Sequence, residues 1–543
     1  MKLLFTLFLS LLIYCNVIGQ TILEVNDDIY HERFTSAESK LESILHSTPE
    51  NNDAWYLMTQ VFLKIDSIVK AKNKLLTAPA AAINNPLVQC AFGHVYLRLD
   101  QPVAAKSYFD NALEKTKRKD PVVLHAIAKA HLDARSGDAS YALELTNEAL
   151  KKDKKNPSLY ITRGDIYRKL SNGSDSYKSY LQALEVDNKY VAALYKIGKI
   201  FTSQENKEMY LNYFNKAVDI DPMYAPALYE LYYYYYFRDV NTAKEYLDKY
   251  IVASDKNIGN DFMVTDLLFA SRKYPEAIES ARGLVNAADG KTEPRLLKLL
   301  AYSYKEMKNT DSALSYMKRY FSIQVDSGFV AKDFEVMGDL YDTLGGMADS
   351  ASSYYQKALA METDTLKALT YYKKIADLYK ENKDFTNEAI WLGKYYQSNP
   401  SPSNIDLFNW GIASYKAKDY FAADSAFKIY ENKYPEQSFG YYWTARSNTV
   451  IDSTMENGLA IPHYQKVIEI AQKDTTDKTN RKYLIEAYGY VAAYEANVEK
   501  DYDDSIEYFE KLLDLDPNNA EAKKYVEILK KNLAKEEDPK ESK

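Results

Sequence analysis

Cysteine is nearly absent from this chain: among 543 residues there are two, Cys15 and Cys90. A disulfide framework is therefore excluded, and packing alone must hold the fold. Glycine (18) and proline (16) are also scarce, too few for the many tight turns of an all-β protein. Histidine occurs six times, at His31, His46, His94, His125, His131 and His463, without clustering into a metal-ligand pattern. The 69 basic and 77 acidic residues are interspersed, leaving a net charge of −8. With no basic block to neutralise phosphates, nucleic acid is excluded as a partner. Beyond the N-terminus no apolar run reaches the roughly 18 residues a membrane helix needs.

What is there is apolar and aromatic. A hydrophobic fraction of 46% argues against wholesale disorder, and 50 residues are tyrosine. Ala, Leu, Lys and Glu dominate the remainder, a helix-forming mixture. The N-terminus reads as an export leader over residues 1–19. Lys2 is its positive start, Leu3–Tyr14 its apolar core and Val17-Ile18-Gly19 its cleavage site, so the mature chain begins at Gln20. The apolar core is short of a membrane span. Lipid attachment at Cys15 is disfavoured by the bulky Tyr14 before it.

Landmarks then recur at a fixed interval. From Gly198 follow Phe201, Tyr210, Phe214, Ala217 and Pro222. The same offsets from Gly164, 34 residues earlier, give Tyr167, Ser176, Tyr180, Ala183 and Asn188. Gly93 leads to Tyr96, Ala105, Phe109 and Ala112, and Gly411 to Ala423, Phe427, Tyr430 and Pro435. One small residue can be followed along the chain as Ala37, Ala71, Ala105, Ala142, Ser176, Tyr210, Ala243, Ala277, Ala313, Ala351, Ala389, Ala423, Ala460 and Ser505. Most steps are 33 to 38 residues; the longer last one predicts an insertion near Asp474–Asn480. Such a period marks a stacked-repeat architecture, in which each unit buries an apolar face only against its neighbour.

This pattern resembles the tetratricopeptide repeat, a helix–turn–helix unit of 34 residues. The resemblance implies an all-α, right-handed superhelical solenoid of about 14 such repeats over residues 20–519. A capping helix over 520–534 and a charged tail over 535–543 would follow. No Gly-, Ser- or Pro-rich linker interrupts the series, so it reads as one array.

The register places the run Tyr232–Tyr236 inside the first helix of a unit, although its composition favours a strand. Tyr232 and Tyr235 then face the paired helix. Tyr229, Tyr233 and Tyr236, at i, i+4 and i+7, face the other way, with Tyr195 and Lys199 in the same positions one unit earlier. In the repeat family that face lines the concave groove, so these five residues are the candidate partner-binding site.

Catalytic chemistry is not in evidence. Cys90 and His94 share a helix face, but no second ligand pair accompanies them. "DLDPNNAEAKKY" lacks the central glycine and closing glutamate of a calcium loop. No phosphate-binding glycine loop or nucleophile elbow occurs. Neither a cofactor nor a metal is expected, and the chain reads as a non-enzyme.

Asp followed by Ser or Thr recurs, as at Asp66, Asp311, Asp364 and Asp504. The motif resembles an O-glycosylation acceptor of exported Bacteroidota proteins, but helix capping accounts for it more simply. Composition and the Gly19–Gln20 junction are similar to those of exported proteins of that phylum. The expected function is an exported scaffold that binds envelope proteins or peptides in its groove. The alternative is a glycan-binding surface protein using tyrosines as stacking platforms. The oligomeric state is left open.

Overall fold

Asn and Asp residues at regular intervals dictate where helices begin. Asn51, Asn85, Asp120, Asn156, Asn206, Asp239, Asp419 and Asp501 each accept a hydrogen bond from a free N–H of the first turn that follows. Proline opens several of these helices, where its missing N–H costs nothing. In the computed structural model, which describes residues 21–288 and 292–537, the result is thirty α-helices and no strand among the described residues. They form fourteen consecutive pairs, one short extra helix, Ala80–Ile83, and a closing helix, Ala520–Glu537. The expected leader over 1–19, with Cys15, and the end of the expected tail, from 538, lie outside the described residues.

The two helices of a pair are joined by a tight turn that forces one residue into left-handed backbone. Asp66, Asp100, Ser171, Glu205, Lys308 and Lys418 take φ between 55° and 63° there. Close approach of the paired helices then depends on the small residue in the first helix. A methyl group at Gly198 would come within 2.5 Å of the Phe214 ring, and one at Gly411 equally close to Phe427. Both rings are buried, so glycine is what lets the second-helix aromatic lie flat on the first helix.

Where the sequence reads as one array, the chain packs as two compact units, divided at Asp289–Gly290. The first holds eight pairs and the short helix Ala80–Ile83; the second holds six pairs and the closing helix. The expected small residues are buried in the second helices from Ala37 to Ala351, apart from half-buried Tyr210.

Two positions depart from the expected register. In the helix Phe385–Ser398 the slot four residues after the cap Asp384 holds buried Glu388, with Ala389 beside it. Ala460 is the N-cap of Ile461–Ala471, and buried Tyr464 takes the slot. The cause is the loop after Asp452, whose carboxylate accepts from the backbone N–H of Asn457 and of Leu459. The steps Ala423 to Tyr464 and Tyr464 to Ser505 are then 41 residues each. The insertion expected near Asp474–Asn480 is thus shared. Part lies in that loop, part in the longer helix Lys478–Tyr494 and part in the π-helical turn Glu495–Glu499.

Candidate functional site

The tyrosine run is helical, as its register requires: Ala225–Tyr236 is one α-helix. Its packing partners overrule its β-favouring composition. Tyr232 is buried against Ala243 and Leu247 of the paired helix and Leu267 of the next pair. Tyr235 stacks on Tyr246, ring centroids 5.6 Å apart. Tyr234, which the sequence reading left unassigned, is also buried. It lies edge-on to Tyr210 and under the Arg238 guanidinium, 4.3 Å from the ring centre.

The opposite side is open at two of the three expected positions. Tyr229 is 41% and Tyr233 55% exposed. Tyr236 is half-buried against the next pair, and its hydroxyl donates to the Asp266 carbonyl at 3.4 Å. Phe237, 68% exposed, continues the stripe in its place. Tyr229 and Tyr233 lie nearly parallel at 6.4 Å, and Tyr233 meets Phe237 edge-on at 5.6 Å.

One pair earlier the picture differs. Tyr195 is half-buried between the rings of Phe214 and Tyr224. Burial, reinforced by the Glu230 carboxylate, pushes its hydroxyl pKa well above the ordinary tyrosine range. Lys199 is tied to Glu230 Oε1 at 2.7 Å, so it bridges neighbouring first helices and is no free cation.

Sequence reasoning missed what faces these residues. Tyr195, Tyr229 and Tyr250 line a cleft of about 270 Å³ whose other wall is His31, Glu32 and Phe34 of the first pair. The first pair is fastened there by three contacts. His31 Nε2 lies 2.9 Å from Asp221 Oδ2. Tyr30 packs on Tyr224 at 5.2 Å. Asp255 accepts from the N–H of Thr35 at 2.7 Å and the Ser36 hydroxyl at 2.6 Å. The helix Phe34–Ser47 has no side-chain cap of its own, so a residue 220 positions away supplies one. No local motif announces such a contact.

The remaining candidates are absorbed by packing. Cys90 is buried with its Sγ 3.9 Å from the Val123 carbonyl, and His94 faces Asp133 rather than the cysteine. Among the described residues no three His, Cys, Asp or Glu side chains are grouped to hold a metal, and no helix is long and apolar enough to cross a membrane. Of the Asp-Ser/Thr motifs, Asp364 is a true N-cap, whereas Ser505 is buried and donates to the Ala492 carbonyl.

A family model described as tetratricopeptide repeat matches residues 191–223 and 498–519. The first match contains the pair Val191–Ser203 and Lys207–Ile220, which precedes the tyrosine helix. No curated protein matches the chain. Among solved structures it is similar to the C-terminal part of a TPR repeat-containing protein from Cytophaga hutchinsonii. Identity is 28%, over 49% of this chain and 99% of that one, with a TM-score of 0.30. It is also similar to a tetratricopeptide repeat protein from Parabacteroides merdae, at 20% identity over 47% and 96%, TM-score 0.33. A third is YrrB, described as a TPR protein with an unusual peptide-binding site, at 18% identity over 37% and 98%, TM-score 0.23.

The class is an all-α protein of stacked helix pairs. Within it, the chain carries tetratricopeptide repeats at residues 191–223 and 498–519.

Proposed function

We propose that this chain is a non-enzymatic scaffold, exported to the cell envelope, that holds protein or peptide segments against the Tyr229–Tyr233–Phe237 stripe. The observation that carries the reading is the exposure of three aromatic rings in contact with one another, along and just past a helix whose other faces are buried or half-buried. Tyrosine suits such a contact, because the ring buries area while the hydroxyl stays wet. The leader pattern of residues 1–19 supports export, with Gln20 as the first mature residue. Nothing in the reading calls for a cofactor.

The test separates capture from folding. Tyr229→Ser with Tyr233→Ser should abolish capture of envelope proteins while moving the melting temperature little. Tyr232→Ala removes a buried ring and should cost about 3 kcal/mol. Loss of capture strictly in proportion to stability in both variants would overturn the assignment of the stripe. Saturable binding of an oligosaccharide by the wild type, with no protein captured, would favour the glycan reading.

A further inference from the structure

The first helix pair meets the rest of its unit in two different ways. Against the second pair it is packed: Val25, Leu41 and Ile44 share one buried cluster with Ala54, Met58 and Val61. Against the sixth and seventh pairs it is fastened at a few points only, by Tyr30, His31, Thr35 and Ser36. Tyr30 reaches the small buried cluster of Val191, Leu194 and Tyr224, and the other fasteners are polar. The residues that receive them, Asp221, Tyr224 and Asp255, lie at helix junctions rather than within helices.

Asp255 has no other task among the described residues. Its Oδ2 accepts from the Thr35 N–H at 2.7 Å and the Ser36 N–H at 3.3 Å, and its Oδ1 from the Ser36 hydroxyl at 2.6 Å. Its charge also meets the positive end of the helix Phe34–Ser47. Asp221 divides its carboxylate, with Oδ1 accepting from the nearby Met223 N–H at 3.0 Å and Oδ2 facing His31.

Between the fasteners the two faces do not close. The cleft of about 270 Å³ separates Glu32 and Phe34 from Tyr195, Tyr229 and Tyr250. Glu32, at the tip of the turn with φ 59°, makes no hydrogen bond or ion pair among the described residues. Polar contacts of this kind add little net stability, because water replaces each partner on separation. The close-packed face toward the second pair has no such substitute. The two faces therefore part with unequal ease.

We infer that the first pair is a reversible lid, which leaves the sixth and seventh pairs while still packed on the second and which, when closed, covers the cleft wall of Tyr195, Tyr229 and Tyr250. Tyr229 is also the first ring of the exposed stripe, so closure shortens the surface that a bound segment can use. That regulatory role, unlike the lid itself, rests on the function proposed for the stripe. A segment that reaches into the cleft binds the open form alone and so holds the lid open.

Spin labels and capture test the lid on the full chain, with Cys15→Ser and with buried Cys90 left unlabelled. Nitroxides at Leu23→Cys and Lys249→Cys, both exposed positions, report the separation of the first and seventh pairs by double electron–electron resonance. Asp221→Ala with Asp255→Ala leaves every side chain of the first pair in place. It should add a second, longer distance to the single one of the wild type, while amide protection at Leu41 and Ile44 persists. Tetranitromethane should then nitrate Tyr195 and Tyr250 severalfold faster, with Tyr233, outside the cleft, unchanged. Ser36→Cys with Asp255→Cys, bridged by a bismaleimide, holds the lid shut. Envelope proteins captured by the wild type should be captured severalfold better by the double-alanine variant and severalfold less by the bridged one. An unchanged distance distribution in the double-alanine variant would overturn the lid. So would lost protection at Leu41 and Ile44, which would make the contact part of the first pair's own fold. Equal capture by all three proteins would overturn the regulatory role. No capture by any of them would refute the reading of the stripe, and the spin labels alone would then decide the lid.

Discussion

Glycine does opposite work at two helical positions, and substitution by alanine separates them. At Gly198 the added methyl would meet the Phe214 ring at 2.5 Å, and that ring is buried with nowhere to move. Overpacking of about 1–3 kcal/mol should outweigh the roughly 1 kcal/mol that alanine contributes to a helix. At Gly283, inside Tyr274–Ala287, a methyl would meet nothing within 4 Å. Gly283→Ala should therefore stabilise by about 0.5–1 kcal/mol. Urea denaturation of the two variants checks both signs. Titration is a second residue-scale property. The folded-state pKa of His125 is depressed from 6.5 to about 3, chiefly by burial. Its neutral ring thus contributes stability that is present above the unfolded value and lost as pH falls toward the folded one. Melting temperature should decline between pH 6.5 and 3 less steeply in His125→Asn than in wild type. At this scale the sequence was legible where spacing governs, as at Gly93, Gly164, Gly198 and Gly411. It was not legible for Tyr234 and Tyr236, whose burial depends on which neighbouring helix reaches them.

Helix ends show how far local rules extend. Most helices here are capped from within four residues, and those caps could be read directly as Asn or Asp before an apolar run. Others, such as Pro102–Lys115 and Val191–Ser203, have no side-chain cap, and Phe34–Ser47 is capped from a distance, by Asp255 near the end of the first unit. Asp255→Ala should cost about 1 kcal/mol, the usual value of a lost N-cap. Amide exchange should report the loss at Thr35 and Ser36 as well as around residue 255, and exchange unchanged at Thr35 would refute the role. The same distinction separates what the period revealed from what it hid. Pairs up to Ala351 keep their spacing because their turns are short and alike. The last pairs drift because a nine-residue loop after Ile451 and a π-helical turn at Glu495–Glu499 change length without changing composition. The docking of the first pair on the sixth and seventh was illegible for another reason: it joins residues about 200 apart, and a repeat pattern carries information only about neighbours.

At the scale of the molecule the repeat pattern runs on while cooperativity need not. A stack of helix pairs is stabilised pair against pair, so a weak junction lets the two sides unfold at different denaturant concentrations. The chain divides into two compact units at Asp289–Gly290, and each has its own buried clusters, from Val25 onward in the first unit and around Tyr442 and Tyr464 in the second. Tryptophan placement makes this measurable. Trp55 is the first unit's tryptophan, whereas Trp391, Trp410 and Trp443 belong to the second. In Trp55→Phe, fluorescence reports the second unit alone, while far-ultraviolet ellipticity of the wild type reports both. The ellipticity curve in urea should show two steps, one of them coincident with the fluorescence transition. Because the slope of an unfolding transition scales with the surface it exposes, each step should also be shallower than a single transition of 543 residues would be. One sharp ellipticity transition, superimposable on the fluorescence curve, would mean that the two units fold as one cooperative body.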